Sequence, residues 1–196
     1  MKKLKLTMPQ MSFLALAAVL NIIGANLALF LKLPFYMDTL GTFLAAMLFG
    51  PIYSMIPGLL SGLLMGFTTD IYSLFFLPVQ LIIGLTAGFF FHNRKSESRV
   101  ALPFYALLVS LPGTVVSACI SAFVFGGITS SGSTVFVQLL HRTGLNLTAS
   151  VFCVQFLTDY IDRAIMLLVA ALILGALPNS ILGTLKKGCH SYGSLQ

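Results

Sequence analysis

Charge is what this chain has least of. Its 196 residues include 11 Lys and Arg and 5 Asp and Glu, so 8% are charged while 58% are hydrophobic. A soluble domain is about one quarter charged. Side chains this sparse cannot clothe a water-facing surface, which excludes an ordinary soluble globular protein. Cysteine is scarce as well. Cys119, Cys153 and Cys189 are an odd set, far apart, which excludes a disulfide framework and a zinc knuckle and leaves small buried hydrophobes. His92, His141 and His190 are scattered, with no H-E-x-x-H pair. No P-loop and no nucleophile-elbow serine is present, so the chain is not expected to hydrolyse ATP by itself. The formal charge of +6 would suit nucleic acid, but no basic stripe with interleaved aromatics accompanies it. Basic flanks facing anionic lipid account for it instead.

What the chain does have is long apolar runs. A bilayer core of ~30 Å takes roughly 20 helical residues. Helices are expected over about 11–31, 38–49, 52–67, 76–91, 100–125 and 148–177. The first run follows Lys2, Lys3 and Lys5 but is too long for a signal-peptide core, so an uncleaved span is expected. Gly50-Pro51 reads as a tight turn, Pro112-Gly113 as a kink, and Thr134–His141 as a short surface helix within a polar loop from Gly126 to Asn146. The few charges are sorted between alternate gaps. One set holds Lys2, Lys3, Lys5, Arg94, Lys95, Arg99, Lys186 and Lys187 with Glu97 alone. The other holds Lys32, Arg142 and Arg163 with Asp38, Asp70, Asp159 and Asp162. The positive-inside rule puts the first set in the cytoplasm. The expected fold is all-α: one domain over 1–196, a polytopic six-transmembrane-helix bundle with both termini cytoplasmic and most acids on the outer side.

Several side chains stand out. Gly58, Gly62 and Gly66 recur every fourth residue, which lets another helix approach closely. Ala17, Ala18, Asn21, Gly24, Ala25, Asn26 and Ala28 make one side of the first span small, either for internal packing or for docking a partner. Asn21, Asn26, Gln80 and Gln155 are amides at membrane depth, suited either to interhelical bonds, which contribute about 0.6–2 kcal/mol, or, for Asn26, Gln80 and Gln155 in the outer half, to hydrogen bonds with a substrate. On a helix, Asp159 and Asp162 share a face and Asp159 meets Arg163. A carboxylate in the membrane costs about 2.5–3.5 kcal/mol and needs a partner or a wet cavity, so this cluster is either an ion pair or the wall of a ligand site. Asp38 reads as a helix cap and Asp70 as a solvated loop residue. Phe35, Tyr36, Tyr72, Phe75 and Phe76 suit an interfacial belt or a lid over a flat ligand.

The order of these motifs carries a resemblance. Tyr36-Met37-Asp38-Thr39-Leu40-Gly41-Thr42, Leu48-Phe49-Gly50-Pro51, Gly58-x-x-x-Gly62 and Leu157-Thr158-Asp159-Tyr160-Ile161-Asp162-Arg163, then Ala176-Leu177-Pro178, resemble the substrate-binding S component of energy-coupling factor (ECF) transporters. Arg163 stands where that branch has lysine. The A-x-x-x-A docking motif of the first helix is not present. Ala17 is followed at four residues by Asn21, and Gly24-x-x-x-Ala28 lies near the outer end.

The resemblance implies a role. Such a subunit captures a vitamin or related micronutrient at the outer face of a prokaryotic cell membrane. It works with a membrane coupling subunit and two ATPase subunits, without a cofactor, a metal or catalytic residues of its own. Substrate-binding residues are then expected at Asn26, Tyr36, Asp38, Asp70, Tyr72, Gln80, Gln155, Asp159, Asp162 and Arg163, with docking at Ala17 and Ala18. The acid excess favours a neutral or cationic heteroaromatic ligand over an anion. Two other classes remain open, a membrane sensory module joined to a signalling domain and a small integral-membrane enzyme using the Asp159–Asp162 pair.

Overall fold

In the computed structural model, residues 6–92 and 101–186 are described. Lys2, Lys3, Lys5, Arg94, Lys95, Glu97, Arg99, Lys187, Cys189 and His190 lie outside them. Among the described residues all regular structure is helical: α1 (Met8–Phe30), α2 (Leu40–Phe49), α3 (Pro51–Thr68), α4 (Tyr72–Phe75), α5 (Leu77–Phe91), α6 (Leu102–Cys119), α7 (Ser133–Arg142), α8 (Leu147–Ala176) and α9 (Asn179–Lys186). Among the described residues three helices are long and apolar enough to cross a membrane: α1, α3, and α6 with its extension to Val124. A fourth counts if α8 and α9, bent by 108°, form one broken span. α2 and α5 are apolar but shorter. Large hydrophobic side chains such as Ile23, Phe30, Phe67, Phe89 and Phe104 are exposed, as expected of surfaces that face lipid rather than water.

The two ends of the bundle differ. At one end the start of α1 meets α9, where the Gln10 amide donates to the Leu185 carbonyl at 2.8 Å. Leu14, Ala45, Leu48, Phe49 and Leu185 form a local core there. The His92 ring lies against Gly50, whose φ of +86° supplies the turn expected at Gly50-Pro51. At the other end the connections 31–39, 69–76 and 125–132 come together.

Small residues set the helix spacing, as the glycine repeat implied. A Cβ on Gly58 would lie 3.2 Å from the Gln80 side chain, and one on Gly62 would lie 2.6 Å from Leu77. α5 answers with a stripe of its own. Gly84 faces the backbone of Ser54 and Met55, and Gly88 faces that of Pro51. The Ser54 hydroxyl closes the contact by donating to the Gly84 carbonyl at 2.6 Å. This second stripe was equally present in the sequence and equally readable.

Three expectations are revised. Asp38 does not cap α2. The helix starts at Leu40 without a side-chain cap of its own, and Asn21 of α1 takes that role. Its Oδ1 accepts from the Gly41 amide at 2.7 Å, and its Nδ2 donates to Thr42 at 3.0 Å. Secondly, α6 continues through Pro112 without a break, and a π-helical turn that the sequence did not suggest follows at Ile120–Val124. Finally, Ala17 and Ala18 are 1% and 4% exposed. The Ala17 carbonyl is packed on Gly41. Neither alanine is free to receive a partner; the outward side of α1 is Leu16, Val19, Ile23 and Leu27.

Candidate functional site

The site is built on a backbone segment that runs into the bundle. α1 ends at Phe30, yet α2 begins against Asn21, nine residues back, or roughly 14 Å of helix. The intervening strap therefore descends alongside α1. Leu33 donates to the Ala28 carbonyl at 2.9 Å, and Met37 packs on Gly24, where any Cβ would strike its carbonyl. This descent explains why α2 has only 10 residues. Irregular backbone at such depth survives only where protein groups satisfy it or a cavity receives it. Here Leu33 accepts from the Gly132 amide at 3.1 Å, and the Met37 amide donates to Asp162 Oδ1 at 3.1 Å. Lys32 and Met37 have positive φ, 50° and 51°. That conformation is uncommon without glycine, and it bounds the strap at both ends.

Behind the strap lies a buried ionic layer. Arg163 hydrogen-bonds Asp162 and stands 4.0 Å from Asp38 Oδ1. Gln80 of α5 donates to Asp38 Oδ2. Asp159 does not pair with Arg163 at hydrogen-bonding distance. Its Oδ2 accepts from Thr114 at 2.9 Å and Ser117 at 3.2 Å, both on α6, and Ser117 also reaches Gln155 Oε1 at 3.0 Å. Gln155, Asp159, Asp162 and Arg163 are all 5% exposed or less. Thr114 and Ser117 escaped the sequence reading because hydroxyls on apolar helices are common. Only their spacing of three, which puts both on one face, hinted at a role.

In front of this layer lie two adjoining narrow clefts. Tyr36, Asp38, Asp70, Ser73 and Met65 line both, and Gln80 and Phe76 line the first. The larger encloses about 390 Å³ of atom-free space out to its open mouth, but it is thin, holding about two waters. Asp70 closes the mouth. Its Oδ2 accepts from Ser130 at 2.8 Å and Ser73 at 3.3 Å, and Oδ1 from the Tyr72 amide at 3.3 Å. Tyr36 reaches Thr129 at 3.4 Å. Aromatic rings pack over the same end, with Phe125 at the centre: 4.8 Å from Tyr72, 5.1 Å from Phe75 and 6.2 Å from Phe76. Phe125 was not singled out in the sequence, where it reads as one more apolar residue at the end of a span.

Neither curated proteins, solved structures nor protein-family models match this chain. Its site therefore has to be read from its own geometry.

The expected residues sort into three places. Tyr36, Asp38, Asp70 and Gln80 line the clefts. Gln155, Asp159, Asp162 and Arg163 form the layer behind and hold the strap. Tyr72 belongs to the aromatic cover, and Asn26 is turned to Met65 Sδ at 3.1 Å and the Ile22 carbonyl at 2.9 Å, bracing α1 on α3. Among the described residues no group of three or more His, Cys, Asp or Glu side chains is arranged to hold a metal ion. The arrangement suits reversible capture of a small molecule: polar acceptors at depth, rings above, and a strap and cover that must part to admit it.

Proposed function

We propose that this chain is the substrate-binding membrane subunit of an ECF-type importer, with six membrane-crossing segments and both termini in the cytoplasm of a prokaryotic cell. It captures a vitamin-like micronutrient from outside. A coupling subunit and two ATPase subunits supply the energy. One observation carries the reading: the cleft in front of the strap faces the end of the bundle opposite α9 and the start of α1. Lys2, Lys3, Lys5, Lys186 and Lys187 flank that opposite end in the sequence. By the positive-inside rule, the cleft then opens to the exterior. The shortness of α2 and α5 is compatible with six crossings. The strap occupies the depth that α2 leaves, and its backbone is met by protein groups, the Gly132 amide at Leu33 and Asp162 at Met37.

The ionic layer fits a binding role better than an enzymatic one. Asp159 and Asp162 are each engaged, by Thr114 and Ser117 on one side and by Arg163 and the Met37 amide on the other. The test is purification from the native membrane with an affinity tag on this chain. Mass spectrometry should find the coupling and ATPase subunits together with a retained small molecule. A chain that comes out alone and empty, under conditions that preserve membrane complexes, refutes the reading.

A further inference from the structure

The cleft carries an imbalance that identifies the charge of its ligand. Its first chamber is lined by two carboxylates, Asp38 and Asp70, and by no Lys or Arg. Arg163 sits behind, with its Nη1 bonded to Asp162 and its Nε without a partner, and it does not line the cleft. Asp38 Oδ1 has no hydrogen-bond partner; the Arg163 guanidinium is 4.0 Å away, beyond bonding range. Independently, Gln80 is 6% exposed and spends its amide N–H on Asp38 Oδ2, which leaves its carbonyl Oε1 without a partner as well. A flipped amide would set oxygen against carboxylate, so this orientation follows from the contact. Two orphan acceptor atoms, one on a carboxylate, thus belong to the adjacent half-buried Asp38 and buried Gln80 on the cleft wall. Buried acceptors left unmet are destabilising, and a donor that reaches both relieves that cost. Besides the hydroxyls of Ser61 and Ser73, the rest of the lining is apolar and aromatic, with Phe76, Tyr36 and Met65, and such rings favour a cation.

We infer that the ligand is a small organic cation with N–H donors on a flat ring. Its N–H groups are received by Asp38 Oδ1 and Gln80 Oε1, and its ring lies against Tyr36 and Phe76, whose mutual contact at 6.3 Å parts to receive it. The inference rests on the reading of the cleft as a substrate site and narrows the substrate to one charge class. The aromatic cover and strap open to admit it, because the closed cleft is thin.

An isosteric trio tests this on the full chain in lipid nanodiscs: benzamidine, benzamide and benzoate share a ring and differ in charge and donors. Titration calorimetry is expected to show benzamidine binding at least tenfold more tightly than either of the others. Asp38→Asn is expected to reduce that preference to threefold or less. The wild-type ratio decides the matter even if the variant folds poorly. Equal or tighter binding of benzamide or benzoate, a response to sodium chloride without preference for benzamidine, or binding of none of the three overturns the inference. Recovery of a neutral or anionic metabolite together with the ATPase subunits would overturn it too, while leaving the carrier reading intact.

Discussion

Replacing Arg163 with methionine probes the layer that holds the strap. Arg163 is 4% exposed and, among the described residues, is the one cation set among three buried or half-buried carboxylates, Asp38, Asp159 and Asp162. Methionine preserves most of the apolar stem and removes the charge. Asp162 then loses its partner while still tied to the Met37 amide. Removing one member of a buried pair costs about 3–5 kcal/mol, because the other charge stays buried without compensation. Reversible unfolding in mixed micelles by SDS titration reads the loss directly. Adding Asp162→Asn to the same chain removes the stranded charge yet keeps an oxygen for the Met37 amide. The double variant is expected to recover at least about half of the loss, a non-additivity typical of contacting residues. A loss below about 1 kcal/mol for Arg163→Met, or a double variant less stable than the single one, would refute the argument that Arg163 neutralises Asp162 to hold the strap.

Other outcomes follow from the same contacts. Gly41→Ala presses a methyl on the Ala17 backbone and is expected to cost about 1–3 kcal/mol. Gly175→Ala, on α8 in open space, is expected to stabilise by about 0.5–1 kcal/mol; thermal unfolding in one detergent compares the two. Asn21→Ala strands the Gly41 amide and is expected to cost about 1–3 kcal/mol in the same assay. Asp70→Ala frees Ser130 and Ser73, so hydrogen exchange at 33–37 and 126–132 is expected to accelerate severalfold, with α3 and α5 unchanged.

Much of the architecture was legible because its signals are local. Apolar runs bounded by Gly50-Pro51 and Pro178-Asn179 gave helices within a few residues of those observed, and 134–141 appeared as α7. The short helix α9 was missed because its pattern is brief and mixed. Asp38 was misread as a cap since spacing shows which residue precedes a helix, not which distant side chain reaches its first turn. Asn21 does so from another helix. The site was legible as a set of residues but not as layers. Periodicity placed Asp159, Asp162 and Arg163 on neighbouring turns, but it could not show that the strap comes between them and the cleft. That depends on tertiary descent of 31–39, recorded in sequence only as an α2 too short for a span. Ala17 and Ala18 show the same limit, because smallness marks a close approach without saying whether the neighbour is Gly41 or another protein.

Sidedness is the claim on which the rest stands. Single cysteines at Ile71, Thr143 and Thr184, all exposed positions, can be placed in a chain whose Cys119, Cys153 and Cys189 are serine. Intact cells are then treated with a membrane-impermeant maleimide. Ile71→Cys and Thr143→Cys, at the cleft end, are expected to label from outside, and Thr184→Cys, on α9, only after permeabilisation. Labelling of Thr184→Cys in intact cells, with Ile71→Cys and Thr143→Cys protected, would turn the cleft toward the cytosol and contradict the account.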